Sequence, residues 1–235
     1  MNPTDLDLIE RFISAFNALD FHLQTVMHGA ERSSFRGLVD LYAKRHRWWK
    51  DAEQLRVFAS LRNVIVHDKV EPYQYVCVPT VQTVEDIEAI RDRLLHPERS
   101  DPRFRRPVIS VDAGDSLTHV LTLMHERNFA HFPVYNGTTF SGLLSQNGIA
   151  RYIAHHAAKT GGPLDFATVE VRYVLVREEN RANYFFAAKD EPVQKIAFAF
   201  HENTFLEAVL ITAHGQRHEK LLGIATRADV LEFSM

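Results

Sequence analysis

The C-terminal half of the chain contains two copies of one supersecondary pattern, and this repeat constrains the fold more than any other feature. Each copy reads as strand, helix, strand, turn, strand and helix. Each final strand ends in Gly, two apolar residues and a hydroxyl residue: Gly142-Leu143-Leu144-Ser145 and Gly223-Ile224-Ala225-Thr226. A repeated unit cannot bury its apolar faces alone, so the copies should pack against each other. A cleft between the packed copies indicates a ligand site.

The apolar positions of the two copies agree in register. The first helix of each copy has apolar residues at the same helical spacing, namely Leu117, Val120 and Met124 in one copy and Val193, Ile196 and Phe200 in the other. A short apolar strand follows in each copy and ends in a turn at Asn136-Gly137 or His214-Gly215. These agreements predict two βαββα repeats packed with pseudo-two-fold symmetry.

The segment from 107 to 235 resembles a tandem pair of CBS motifs, a module that binds adenine nucleotides or S-adenosyl compounds in many regulatory proteins. The sequence GIATRAD carries the resemblance most specifically, because the family places Thr or Ser, two residues and then Asp at the start of the last helix. The resemblance implies that Thr226 and Asp229 hold a ribose. Residues three apart share a helical face, and a carboxylate accepts both hydrogens of a vicinal diol. The alternative is an ordinary helix cap at Thr226.

The two motifs, at about 107–158 and 168–235, are not equivalent. Gly148 stands where the family carries Asp, so a single ligand is expected beside Asp229. The resemblance implies that the following residues surround the base: Phe104, Ile109, Phe129, Ala130 and Ile224.

The phosphate-binding position of the family departs from its pattern in this chain. Glu207 stands where family members often carry a basic residue, and His131 holds the corresponding position of the first motif. A carboxylate beside a phosphate lowers affinity. The helix N-terminus after Thr226 favours an anion. AMP, ADP, ATP, S-adenosylmethionine and an adenosine-like ligand all remain open.

Residues 1–96 are dominated by helical spacing and predict an antiparallel bundle of four helices. The apolar stripes are Leu6, Ile9, Phe12, Ile13, Phe16 and Leu19; Phe35, Leu38, Val39 and Tyr42; Leu55, Phe58 and Ala59; and Val84, Ile87, Ile90 and Leu94. Thr83 with Asp86 indicates the start of the last helix. The proline-containing stretch 97–106 predicts a polar linker. The expected fold class is therefore α+β in two domains.

The third helix contains LRNVIVHDK, and its Arg62, Asn63 and His67 resemble the signature of the HEPN family of helical bundles. Some HEPN members are metal-independent ribonucleases that act on RNA as dimers, and others are inactive dimerisation domains. On an ideal helix Arg62 and His67 point about 140° apart, so a composite site requires the helix to end near His67 or two chains to meet there. The alternative is a structural or dimer-forming role.

Composition limits the remaining possibilities. The net charge of −3 provides no general basic field for nucleic acid. A single cysteine, Cys77, excludes an intramolecular disulfide, and the N-terminus has no signal-peptide pattern, so we expect a cytoplasmic protein without a membrane segment. No metal site is expected from the histidine spacing. We therefore expect a homodimeric regulatory protein that binds an adenine-containing molecule. The alternative is a nucleotide-gated, HEPN-type ribonuclease.

Overall fold

The computed structural model describes residues 3–28, 33–67, 69–71, 74–178 and 183–233. The chain divides into two compact units, Met1–Glu98 and Arg99–Met235. The first is helical and the second combines helices with two mixed three-stranded sheets, which confirms the predicted α+β class. Within the described ranges, the helices are too short or too polar to span a membrane.

In the described part of the N-terminal unit there are four main helices, as the apolar stripes predict. They are α1 (Pro3–Val26), α2 (Phe35–Arg45), α3 (Ala52–His67) and α4 (Val81–Leu95). Their apolar faces meet in one core that includes the fully buried Phe12, Leu19, Leu38, Leu55 and Ile87. Two short antiparallel strands, β1 (Lys69–Glu71) and β2 (Gln74–Tyr75), follow α3, and the helical spacing of residues 1–96 does not predict them.

The helix α4 starts earlier than the Thr83–Asp86 pattern predicts. The helix begins at Val81, and Thr80 is its N-cap because the Thr80 hydroxyl accepts a hydrogen bond from the Thr83 N–H at 3.1 Å. Both threonines carry a suitable hydroxyl, and the extended backbone of Thr80 decides which one caps the helix.

The first repeat follows a short helix, α5 (Ser100–Arg103). Its elements are β3 (Val111–Asp112), α6 (Leu117–Arg127), β4 (His131–Asn136), β5 (Thr139–Ser145) and α7 (Gln146–Thr160). The sheet order is β3-β4-β5, with β3 parallel and β5 antiparallel to β4. A short helix, α8 (Val171–Leu175), leads to the second repeat.

The second repeat has the same topology. Its elements are β6 (Tyr184–Ala188), α9 (Val193–Glu202), β7 (Ala208–Thr212), β8 (Gly223–Thr226) and a final 3₁₀ helix (Arg227–Phe233). Again the first strand is parallel and the third antiparallel to the central strand. The predicted βαββα pattern is therefore confirmed, except that the last helix is 3₁₀ rather than α.

The two sheets share an apolar core. Phe140 and Leu143 from β5 pack with Ala208, Leu210 and Ile224 from the second sheet. The aligned helix positions are also inward-facing in both repeats: Leu117 and Val120 in α6 and Val193, Ile196 and Phe200 in α9 are buried. The repeats bury their apolar faces against each other, as repeated units require.

The stretch predicted as a linker is mostly part of the second unit. The Ser100 hydroxyl donates to the carbonyls of Ala188 and Lys189 at 2.8 and 2.9 Å, and Phe104 is buried in the core of the second repeat. Arg105 then forms an antiparallel bridge with Gly223. Residues 99–106 therefore belong to the second unit, because Ser100 and Asp101 donate to backbone carbonyls just after β6 and Arg105 pairs with the edge strand β8.

Candidate functional site

A cavity of about 420 Å³ lies where the two repeats meet. Six of the eight residues predicted to hold the ligand line it: Ile109, Phe129, Ala130, His131, Ile224 and Thr226. The walls are mainly apolar and come from the segment before β3, the end of α6 and the end of β8. Small-molecule sites commonly have this size and a mostly apolar lining with a few polar groups.

The other two predicted residues, Phe104 and Asp229, line an adjoining recess of about 460 Å³. Ala228 borders both spaces. Phe104 is 3% exposed and packs in the core of the second repeat, so its main contact is with protein. Asp229 is next to the cavity through its hydrogen bonds to Thr226, one of the cavity residues.

Thr226 and Asp229 form the hydroxyl–carboxylate pair that the motif predicts. Asp229 Oδ2 accepts hydrogen bonds from both the backbone N–H and the hydroxyl of Thr226, each at 2.7 Å. This is the reach-back half of a capping box, so the cap and the ribose interpretations share one geometry. The Thr226 N–H is occupied by Asp229, and the helix that follows is a 3₁₀ helix of seven residues, Arg227–Phe233.

Sequence reasoning missed Arg106, which lines the cavity and binds Asp229. Its Nη1 donates to Asp229 Oδ1 at 3.0 Å and its Nη2 donates to Oδ2 at 2.7 Å. The two residues are 123 positions apart, and they meet because residues 104–106 cross the edge of β8. The sequence signal was weak: Arg106 is the last of several arginines in a stretch that reads as a linker.

Two opposing effects act on the Asp229 carboxyl group. Burial raises its pKa, but hydrogen bonds from Arg106 and from Thr226 together outweigh burial, and the net pKa is below its usual value. Asp229 is therefore ionised at neutral pH and can accept hydrogen bonds from hydroxyl groups.

Glu207, the residue that departed from the family pattern, points to protein partners. Its Oε2 lies 3.1 Å from His131 Nε2, and its Oε1 accepts a hydrogen bond from Asn147 Nδ2 at 2.6 Å. Glu207 is not one of the described residues that line the cavity. The strand register also corrects the alignment of the repeats: His131 pairs with Ser145 as Ala208 pairs with Thr226, so His131 corresponds to Ala208 rather than to Glu207.

The first repeat has a carboxylate where its missing Asp would be. Glu178 Oε1 accepts from the Ser145 N–H at 2.6 Å, and Oε2 is 3.2 Å from the Ser145 hydroxyl. A Cβ on Gly148 would lie 2.0 Å from Glu178 Oε1. Sequence reasoning identified the loss of Asp but not its replacement, because Glu178 is 33 residues beyond Ser145.

In the N-terminal unit, Arg62 and His67 are close together. The Arg62 Nη1 and His67 Nε2 atoms are 3.2 Å apart, and α3 ends at His67, as a composite site on one chain requires. Arg62 also lies over the Phe16 ring at 5.8 Å and borders a recess of about 270 Å³ together with Asn63. The Arg62 Nε is buried without a hydrogen-bond partner among the described residues.

Metal ligands do not cluster in the described ranges. In those ranges, no three His, Cys, Asp or Glu side chains are arranged to bind a metal ion.

Comparison with known families identifies the first repeat. Residues 104–155 match the CBS domain family. This CBS match begins at Phe104 and ends within α7, so it includes Ile109, Phe129, Ala130 and His131 of the cavity. The second repeat lies outside the matched range and has the same strand order, which makes the C-terminal unit a CBS pair in fold. Among curated proteins, no significant match is found.

Solved structures with CBS domains resemble part of the chain. A conserved CBS domain protein of unknown function from Thermoplasma acidophilum is 19% identical with a TM-score of 0.46, covering 59% of this chain and 70% of that chain. The CBS domain of a membrane protein from Sphaerobacter thermophilus is 19% identical with a TM-score of 0.47, covering 66% and 99%. A CBS domain pair in complex with 5′-methylthioadenosine and S-adenosyl-L-methionine is 16% identical with a TM-score of 0.43, covering 58% and 95%.

Proposed function

We propose that the C-terminal unit is a regulatory sensor that binds one adenine-containing ligand in the cavity between its CBS repeats. The main support for this proposal is a mostly apolar cavity of about 420 Å³ that has the Thr226–Asp229 pair at its edge. Ile109, Phe129 and Ile224 offer apolar surfaces that suit a flat base. Asp229, ionised and hydrogen-bonded to Thr226, offers acceptors for the ribose hydroxyls. AMP, ADP, ATP, adenosine and S-adenosylmethionine are the ligand candidates.

The asymmetry of the repeats supports a single site. In the first repeat, Glu178 already binds both donors of Ser145, and its charge lies near that of Glu207. Two neighbouring carboxylates repel an anionic ligand. The site beside Asp229 has Arg106 instead. We therefore assign the ligand to the site beside Asp229.

Thermal unfolding with a panel of these five compounds tests the proposal. One-site binding at a hundredfold excess over Kd stabilises a fold by about 2.7 kcal/mol, which raises Tm measurably. Asp229→Ala should lose most of this response, and its unliganded stability should fall by about 0.5–2 kcal/mol through loss of the cap. The exposed Asp190, changed to Ala, is the control for charge and should respond like the wild type. A wild type that responds to none of the compounds would contradict the proposal.

For the N-terminal unit we propose dimerisation or output, with the whole chain acting as a homodimer. Ligand binding can regulate such an output only if the ligand binds two arrangements of the protein with different affinity. Multi-angle light scattering should give twice the chain mass at micromolar concentration. A monomer with and without ligand would contradict the dimer.

The second candidate function is a metal-independent, HEPN-type ribonuclease, and the Arg62–His67 contact is the observation that favours it. A histidine can transfer protons to or from RNA, and an arginine can stabilise the phosphate. Single-stranded RNA should then be cleaved in the presence of a chelator by the wild type but not by His67→Ala. If wild type and His67→Ala leave RNA equally intact at every ligand concentration, this function is excluded.

A further inference from the structure

The Arg106 guanidinium donates hydrogen bonds to the Asp229 carboxylate. Asp229 accepts two hydrogen bonds from the Arg106 guanidinium and two from Thr226. Three of these hydrogen bonds reach Oδ2 and one reaches Oδ1. A carboxylate has about four acceptor positions, two on each oxygen, so only one position remains open, on Oδ1. A ribose diol donates two hydrogen bonds, so both of its hydroxyls can bind Asp229 only after a donor has left.

Arg106 is the donor that can leave. The Thr226 donors are attached to the same turn as Asp229, three residues away, whereas Arg106 comes from a different segment on a long side chain that is 41% exposed. Its backbone is anchored, because neighbouring Arg105 bridges to Gly223. The guanidinium can thus swing away from Asp229 while its Cα stays at the edge of the cavity.

The released guanidinium needs a new anionic partner. Among the described residues that line the cavity, Arg106 carries a permanent positive charge, and His131 Nε2 lies 3.1 Å from Glu207 Oε2. A guanidinium and a phosphate form paired, charge-assisted hydrogen bonds, as a guanidinium and a carboxylate do. A nucleoside would break the Arg106–Asp229 pair without replacing it, whereas a nucleotide would replace it with an Arg106–phosphate pair.

We propose that Arg106 is a latch on Asp229 that selects a phosphate-bearing adenine nucleotide over the nucleoside. In the free protein Arg106 occupies the ribose acceptor, and in the complex it binds the phosphate while Asp229 receives the ribose hydroxyls. This proposal rests on the proposed function, since it concerns the same cavity. It also explains how the site accommodates a phosphate although Glu207 replaces the expected basic residue.

Isothermal titration of AMP and adenosine into wild type, Arg106→Met and Arg105→Met tests the latch. The wild type should bind AMP at least about tenfold more tightly than adenosine, the effect of one charge-assisted contact. In Arg106→Met the ratio of AMP affinity to adenosine affinity should approach one, and adenosine affinity should rise because Asp229 no longer accepts hydrogen bonds from Arg106. Arg105 pairs with Asp101 and does not line the cavity, so Arg105→Met makes the same charge change and should keep the wild-type preference.

Three results would overturn the latch. If the wild type binds AMP and adenosine equally, Arg106 does not select phosphate. If the preference survives in Arg106→Met, another group binds the phosphate. In both cases the proposed function stands, because ligands bind. If neither compound nor any other member of the panel binds the wild type, the proposed function fails together with the latch. If Arg106→Met does not fold, Arg106→Lys replaces it in the titrations. Lysine keeps the positive charge but cannot form the paired hydrogen bonds, so Arg106→Lys should retain only part of the preference for AMP over adenosine.

Discussion

At the scale of single residues, the two repeats use different carboxyl groups to accept hydrogen bonds from equivalent hydroxyl residues, Ser145 and Thr226. A hydroxyl residue ends the last strand of each repeat, and its N–H and O–H both need acceptors. Asp229 provides them from three residues away in the second repeat, and Glu178 provides them from a distant loop in the first. Gly148 is what makes room for Glu178, since any Cβ there would overlap the carboxylate. The first repeat thus lacks the Asp but keeps a carboxyl group beside the hydroxyl residue.

Glu178 should make stability depend on pH. Burial raises its pKa, the hydrogen bonds from Ser145 oppose this, and the net pKa is above its ordinary value of about 4.3. Between that ordinary value and the raised one, the folded state binds more protons than the unfolded state, so the free energy of unfolding decreases as pH rises.

Glu178→Gln cannot titrate and should lose this contribution. Urea unfolding at about pH 5 and about pH 7 should therefore show the wild type losing more stability than Glu178→Gln as pH rises. Equal changes in the two proteins would show that Glu178 is ionised in both folded and unfolded states throughout this range.

At the scale of elements, the edge of β8 determines where Arg106 lies. The carbonyl oxygen of Phe104 lies 2.0 Å from the position that a Cβ on Gly223 would occupy. Only a glycine lets residues 104–106 approach β8 this closely, and this approach brings Arg106 to Asp229. In the second repeat, the close approach of Phe104 therefore explains why the strand-end motif begins with glycine.

Gly223→Ala should displace the crossing segment. Because the obstructing atom belongs to the backbone, the change should lower the free energy of unfolding by at least about 1–3 kcal/mol, the usual cost of overpacking. Gly162→Ala is the control, since no atom lies within 4 Å of its added Cβ. Chemical denaturation measures both. A Gly223→Ala protein as stable as Gly162→Ala would show that the segment can move away at little cost.

At the scale of the whole molecule, ligand binding should stabilise one unit directly. The cavity is lined by residues of the unit Arg99–Met235, which has its own apolar cores. Hydrogen exchange with AMP should increase protection in β8, in the segment 104–109 and at the end of α6, because opening of these elements must release the ligand. The core amides of α1 and α4 should serve as the internal reference. Increased protection confined to the N-terminal unit would place the ligand elsewhere.

The sequence determined the repeat, because its signals are local. Apolar spacing predicted α6 and α9, the Gly-containing turns ended β4 and β7, and the four apolar stripes predicted α1 to α4. These features depend on neighbours a few residues apart, which is the range over which periodicity acts. Six of the eight predicted ligand residues line one cavity because the repeat fixed which strand ends meet.

Tertiary structure decided which distant polar groups come into contact. Arg106 reaches Asp229 across 123 positions, and Glu178 reaches Ser145 across 33. Neither pair has a spacing that helical or strand periodicity favours. A long charged side chain finds its partner only after packing has fixed the surrounding backbone, and desolvation makes an unpaired charge there costly. The sequence therefore specified the walls of the cavity, and the folded chain specified its electrostatics.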